Sequence, residues 1–155
     1  MKMDTLRSAS HLQREIGDEL FAALVNSDNT AAVRKFAATL VKSALPTEMT
    51  VGGVTYEILS FLKGDEKSVV GHTMVERAKE MGANLGEEDC ERFLKNQSDI
   101  PAALCGKVAF VFPDLRHPDD REYVADLDWG GDGWYLLWGW LSRDWRGRGR
   151  LLRRK

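Results

Sequence analysis

The sequence predicts an α+β fold, in which an N-terminal helical hairpin precedes a mainly antiparallel sheet packed against two short helices. Three observations support this prediction. Apolar residues recur about every four positions in the first 45 residues, their period changes to two after Thr47, and two short helical patterns interrupt the strand patterns that follow. We therefore expect a helical hairpin over residues 1–46 and an α+β domain over residues 47–155, which ends in a Trp-rich hairpin.

The N-terminal segment has the pattern of two consecutive helices. Ser10 and Gln13 match a capping box, in which each side chain bonds the other residue's backbone N–H at a helix start. Polar residues 26–29 separate the two helical patterns, and Pro46 ends the second one. The apolar positions are Leu12, Ile16, Leu20 and Leu24 in the first helix, and Val33, Phe36, Leu40, Val41 and Ala44 in the second.

The next segment predicts a tight β-hairpin. Gly52 and Gly53 lie between two alternating apolar patterns, and adjacent glycines accept the positive φ that a two-residue turn requires. We expect the second strand to reach Phe61 or Leu62. The alternating residues are Met49 and Val51 before the turn, and Val54, Tyr56 and Ile58 after it.

Two short helices are expected next. Thr73 and Glu76 form a second capping box, which predicts a helix that ends at Gly82. A further helix is predicted from Glu87 to Asn96, because acidic residues 87–89 in its first turn suit the positive end of the helix dipole. Its inward-facing residues are expected to be Cys90, Phe93 and Leu94.

Three more strands are predicted in the C-terminal part. The β-rich run from Lys107 to Phe112 is typical of a central strand that Pro113 closes. After a polar loop, residues 123–129 and the run from Trp134 form a hairpin, and Leu151 and Leu152 indicate a short last strand.

Side-chain alternation places four of the five tryptophans on one face of that hairpin. A loop over residues 130–133, or a turn at Gly131 and Asp132, pairs Trp129 with Trp134, whereas a turn at residues 132–133 pairs Trp129 with Leu136. The face is the same in each case. Because so large an apolar surface is rarely left in water, we expect it to be buried core. Its members are Tyr123, Leu127, Trp129, Trp134, Leu136, Trp138 and Trp140.

The opposite face of the hairpin is mixed and offers a candidate ligand site. It combines aromatic rings with carboxylates, which suit a sugar or a cationic group. Trp145 is expected to lie near the strand end, apart from the buried face. An alternative stays open, namely that the acids only solvate an outer face. The candidate ligand-binding residues are Tyr135, Asp126, Asp128 and Trp145.

Three parts of this C-terminal region carry a resemblance to other proteins. They are GHTMVERAKEMGANLGEEDCERFLKNQSDIP, GKVAFVFPDLRHPDD, and DLDWGGDGWYLLWGWLSRDW with the final GRLLRRK. They resemble small proteins of uncultivated candidate-phylum bacteria over roughly residues 47 to 155. The resemblance implies that this region is one unit and implies no activity, cofactor or site residue.

The charge distribution gives the second candidate site. The chain has 155 residues and a net charge of −2, yet residues 143–155 contain seven basic side chains and one acidic one. Arginines beside an aromatic ring are typical of phosphate and base binding, although the same tail suits a contact with the acidic remainder of the chain. The candidate nucleic-acid-binding residues are Arg146, Arg148, Arg150, Arg153 and Arg154.

A catalytic function is the third possibility. His117 with a nearby carboxylate suits general acid–base chemistry, but the same residues are typical of a connecting turn. The candidate catalytic residues are His117, Asp114, Asp119 and Asp120.

No metal, cofactor or membrane partner is predicted. The three histidines and the unpaired Cys90 and Cys105 lack ligand spacing, no phosphate-binding glycine loop is present, and the longest apolar run is far shorter than the roughly 20 residues of a membrane span. The absence of a signal-peptide pattern predicts a cytoplasmic protein.

We expect a small non-enzymatic binding or adaptor module with a protein or small ligand on its exposed sheet face. Nucleic-acid binding is the alternative, and a hydrolase or transferase is third.

Overall fold

A computed structural model describes residues 45–155, and the predicted helical hairpin lies outside the described residues apart from Leu45 and Pro46. The described part is an α+β fold, as the sequence predicts. Its elements are β1 (Glu48–Val51), β2 (Val54–Leu59), β3 (Ser68–Val70), α1 (Gly71–Glu80), α2 (Glu87–Lys95), β4 (Ala109–Arg116), β5 (Tyr123–Trp129), β6 (Trp134–Trp140), β7 (Asp144–Arg146) and β8 (Gly149–Arg154), with 3-10 turns at Gln97–Asp99 and Ala102–Leu104.

Six strands form one mixed sheet in the order β1-β2-β8-β4-β5-β6. All neighbours are antiparallel except β4 and β8, which are parallel. Strands β3 and β7 pair separately as a two-stranded antiparallel sheet. The sheet is therefore mainly antiparallel, as predicted, with β8 in its interior and β6 at one edge. No helix within residues 45–155 has the length and apolar character needed to cross a membrane.

The large sheet has a core on each face. Helix α2 contributes Phe93 to the first core, and α1 contributes Met74 to the second. Strand β4 serves both, because successive side chains of a strand point to opposite faces. Phe110 and Phe112 lie in the first core, and Val111 lies in the second.

Three predicted boundaries are wrong. Strand β2 ends at Leu59, and Phe61 instead packs in the second core. Helix α1 begins at Gly71 without a side-chain cap, because β3 runs directly into it, so the predicted capping box at Thr73 is not its start. Strand β4 continues through Pro113, where a register shift between Phe112 and Arg116 accommodates the missing N–H.

Other local predictions are confirmed. Gly52 and Gly53 have φ values of 55° and 80° and join β1 to β2. Gly82 follows α1 with a φ of 65°. Helix α2 begins at Glu87 and ends at Lys95, one residue before the predicted end.

The last strand, expected only around Leu151 and Leu152, instead covers Gly149–Arg154 between β2 and β4.

Candidate functional site

The β5–β6 hairpin has the register in which Trp129 pairs with Trp134. Asp128 then pairs with Tyr135, and Asp126 pairs with Leu137, so all four side chains project from the mixed face. The residue faces predicted for this hairpin are therefore confirmed.

The tryptophan face is only partly buried. Trp134 is buried against Phe110, with ring centroids 5.1 Å apart, and Trp129 and Trp138 are partly buried. Trp140 is 50% exposed, and Leu136 and Tyr123 are also exposed, so the prediction of a wholly buried face is wrong for these three residues. The reason is that β6 is an edge strand and only its Trp134 end belongs to the buried first core.

The prediction that Trp145 lies apart from the buried residues is wrong, because Trp145 is part of the core. It is 5% exposed and packs in the second core. Its ring lies directly over Gly139, where a Cβ would come within 2.3 Å of the indole. A glycine within a strand often marks such a close approach, and that signal was present in the sequence. The Arg143 guanidinium lies 4.5 Å from the indole centroid, which suits a cation–π contact.

A cleft of about 360 Å³ opens on the mixed face beside Trp145. It brings together three of the four predicted ligand-binding residues. Tyr135 does not line it, because its hydroxyl instead donates to Asp132 at 2.8 Å. We call this site the Asp126 cleft; it is lined by Ala109, Asp126, Asp128, Leu137, Trp138, Arg143, Asp144, Trp145, Arg146, Arg148 and Gly149.

Asp126 is the unusual member of this cleft. It is 6% exposed, and its Oδ1 has no hydrogen-bond partner within residues 45–155. Arg148 does not pair with it but binds Asp128 through both guanidinium nitrogens, with an Nη1–Oδ2 distance of 3.0 Å. Burial raises the pKa of Asp126 to about 6, although the nearby positive charge of Arg143 opposes that rise. A buried carboxylate without a donor is costly, so Asp126 is a candidate acceptor for a hydrogen-bond donor that enters the cleft.

Replacing Asp126 with Asn should stabilise the domain at pH 7 by about 2 kcal/mol. The pKa of Asp126 is higher in the folded chain than in the unfolded chain, so folding favours its protonated form. Its contribution to stability therefore falls as the pH rises from about 4 to about 6 and is constant above that range. Urea unfolding at pH 4, 5, 6 and 7 should show a difference between D126N and wild type that grows over this window. An equal difference at all four pH values would contradict the prediction.

The predicted nucleic-acid-binding arginines do not form one patch. Arg153 Nε is 2.6 Å from a carboxylate oxygen of Glu57, and Arg154 Nε is 2.8 Å from Asp89. Arg150 donates to the Gly149 carbonyl at 3.0 Å and to that of Gly147. Arg148 binds Asp128, as described above, whereas Arg146 is exposed. Most of this basic charge is engaged within the domain.

The predicted catalytic residues are held by separate contacts. The His117 ring packs edge-on against Trp138, with centroids 4.9 Å apart, and its Nδ1 accepts the Asp119 backbone N–H at 3.2 Å. Asp114 accepts a hydrogen bond from Asn84, and the Asp120 carboxylate accepts the N–H of residue 122. The contacts of His117 and Asp120 are typical of a structured turn, whereas Asn84 lies 30 residues before Asp114.

Comparison of the chain with protein-family models, with curated proteins and with solved structures finds no match. Within residues 45–155, no three His, Cys, Asp or Glu side chains are placed to hold a metal ion together. The Asp126 cleft itself is therefore the basis for a functional assignment. Sequence reasoning had not included its members Leu137, Trp138, Arg143 and Asp144.

Proposed function

We propose that this domain is a non-enzymatic binding module that holds a small zwitterionic ligand of amino-acid type in the Asp126 cleft. The observation that carries the proposal is the buried Asp126 carboxylate, which lines the cleft and whose Oδ1 has no hydrogen-bond partner within residues 45–155. A charged donor on the ligand would replace the water that this carboxylate loses on folding.

An ammonium group is the donor that fits best. Hydrogen bonds between charged groups are about twice as strong as neutral ones, and they are strengthened further in a partly buried site. Asp144 also lines the cleft and adds negative charge. A neutral hydroxyl of a sugar would gain less from these carboxylates.

The arginines of the cleft favour a ligand that also carries an acidic group. Arg143 lies near enough to lower the pKa of Asp126, yet its guanidinium stacks on Trp145 and does not bind that carboxylate. Arg146 lines the same cleft and is exposed. A carboxylate on the ligand would bind these guanidinium groups while its ammonium group binds Asp126.

A fluorescence titration tests the proposal, because Trp145 lines the cleft. The probes are the twenty amino acids, together with N-acetylated and amidated forms of whichever binds. We expect both blocked forms to bind at least tenfold more weakly, and affinity to fall below about pH 6 as Asp126 becomes protonated.

Two variants supply the matched comparison for this titration. Asp126→Asn should weaken binding at least tenfold, whereas Asp119→Asn removes an exposed carboxylate outside the cleft and should leave binding unchanged. Equal affinity in wild type and D126N would refute the proposal, as would the absence of binding by every probe at about 10 mM, roughly the weak limit of a specific small-ligand site.

Nucleic-acid binding and His117-based catalysis remain alternatives with less support. The arginines proposed for the first are largely engaged by acidic side chains and carbonyls of the domain. The residues proposed for the second make separate contacts, of which those of His117 and Asp120 lie within a turn.

A further inference from the structure

Within residues 45–155, strand β6 forms one edge of the large sheet and lacks two features that usually protect an edge. Its sequence, WYLLWGW, contains no charged residue and no proline. Tyr135, Leu137 and Trp140 are about half exposed, and Leu136 is exposed as well. A long apolar edge of this kind readily pairs with another strand.

The hydrogen bonds of the β5–β6 hairpin show which backbone groups face outward. Gly130 donates to the Gly133 carbonyl and Leu141 donates to the Glu122 carbonyl, both at 2.8 Å. Hydrogen-bonded pairs alternate along an antiparallel ladder, so residues 133, 135, 137, 139 and 141 point their backbone groups toward β5. Residues 134, 136, 138 and 140 therefore point theirs away from the sheet.

Side chains of the domain already occupy both ends of this outer edge. At one end the Gln97 amide accepts the Trp134 N–H at 2.9 Å and donates to the Trp134 carbonyl at 3.0 Å. At the other end the Trp140 carbonyl accepts the indole N–H of Trp145 at 3.2 Å. Within residues 45–155, the outward N–H and C=O groups of Leu136 and Trp138 have no such partner.

We propose that two copies of this chain pair through β6, antiparallel, about a two-fold axis at Leu137. Leu136 of each copy then lies opposite Trp138 of the other, and four backbone hydrogen bonds use the open groups of these two residues. The open segment is therefore complementary to itself. The Gln97 amide would compete with any longer strand for the Trp134 backbone, and the two-fold pairing closes the assembly as a dimer.

The proposed dimer would also change the lining of the Asp126 cleft. The importance of this change rests on the proposed function. Leu137 lines the cleft and projects from the same face as Asp126. The two-fold axis places the second copy's Leu137 directly beside it and on the same face of a continuous sheet. Each copy would therefore add an apolar wall to the other's cleft.

A cysteine at the axis tests the pairing directly. In this register Leu137 lies opposite its own counterpart in a non-hydrogen-bonded pair, where Cα atoms are about 4.5 Å apart and a disulfide can form. The full chain with Leu137→Cys should become a covalent dimer under mild oxidation, measured on a non-reducing gel. Native Cys90 is buried, and burial raises its pKa to about 12, which makes it a poor competitor.

Tyr135→Cys is the matched control for this experiment. Tyr135 lies on the same face and is 50% exposed, compared with 48% for Leu137. In the proposed register it is offset from its counterpart by four residues, about 13 Å along the strands, which is too far for a disulfide. Equal crosslinking of L137C and Y135C, or none in either, would overturn the proposal.

A backbone variant provides an independent test by sedimentation. Leu136→Pro removes an outward N–H while leaving the hydrogen bonds to β5 intact, and Leu136→Ala keeps that N–H. Wild type and L136A should dimerise as concentration rises, whereas L136P should require at least tenfold higher concentration. A wild-type chain that remains monomeric at about 1 mM, roughly the limit of weak association, would refute the pairing. Asp126→Asn should dimerise normally, so failure of the ligand site and failure of the dimer can be distinguished.

Discussion

A chain that ends at Ser142 is expected to lose the folded domain, not only a basic tail. The missing residues include β8, which pairs with β2 on one side and with β4 on the other. Its removal exposes two interior strand edges at once. The truncation also removes the buried side chains of Trp145, Leu151 and Leu152, which are 5%, 0% and 0% exposed.

The expected loss is comparable with the whole stability of a typical domain. Burial of each such side chain contributes about 1.5–3 kcal/mol, and the lost strand hydrogen bonds add to that, against a net stability of about 5–15 kcal/mol. Far-UV circular dichroism and tryptophan emission should show no cooperative thermal transition in the chain that ends at Ser142. A sharp transition would mean that β8 is dispensable.

Arg146→Ala is the matched control for this truncation. Its side chain is exposed, so stability should change by no more than about 0.5 kcal/mol. The same variant also tests nucleic-acid binding, because it removes a basic side chain without unfolding the domain. Loss of RNA binding on truncation would not identify the tail as the binding site.

The local features of this fold could be predicted from its sequence, whereas the place of β8 could not. The Gly52–Gly53 turn and the side-chain faces of β5 and β6 depend on residues close together in the chain. The pairing of Leu152 with Ile58 joins positions 94 residues apart, so no local pattern indicates it.

The candidate site also combines features set by neighbouring residues with features set by residues far apart in the sequence. Asp126 and Asp128 were assigned to the correct face because strand alternation is local. The location of Trp145 depends on β7 pairing with β3, two short strands that carry no clear periodicity. The basic character of the C-terminal segment could be recognised from its composition. The partners of Arg153 and Arg154 could not, because Glu57 and Asp89 lie far away in the sequence.

Asp89→Ala is expected to destabilise the domain by about 3 kcal/mol, because it disrupts a buried polar network. Asp89 accepts the hydroxyl of fully buried Tyr56 at 2.5 Å and the Nε of Arg154 at 2.8 Å. It thereby links α2 to the second and last strands of the chain. Desolvation, and then the hydrogen bond to Asp89, raise the pKa of Tyr56 to about 12. Removing the carboxylate leaves that hydroxyl without an acceptor in the core.

Tyr56→Phe separates the two parts of this network. It removes the hydroxyl donor but leaves the Asp89–Arg154 ion pair, so we expect a loss of only about 1 kcal/mol. Urea unfolding of both single variants and of the double variant measures the coupling, which should be about 1 kcal/mol because the two side chains share one hydrogen bond. Additive losses would show that the carboxylate acts through Arg154 alone, and that the Tyr56 hydroxyl contributes nothing to the attachment of α2.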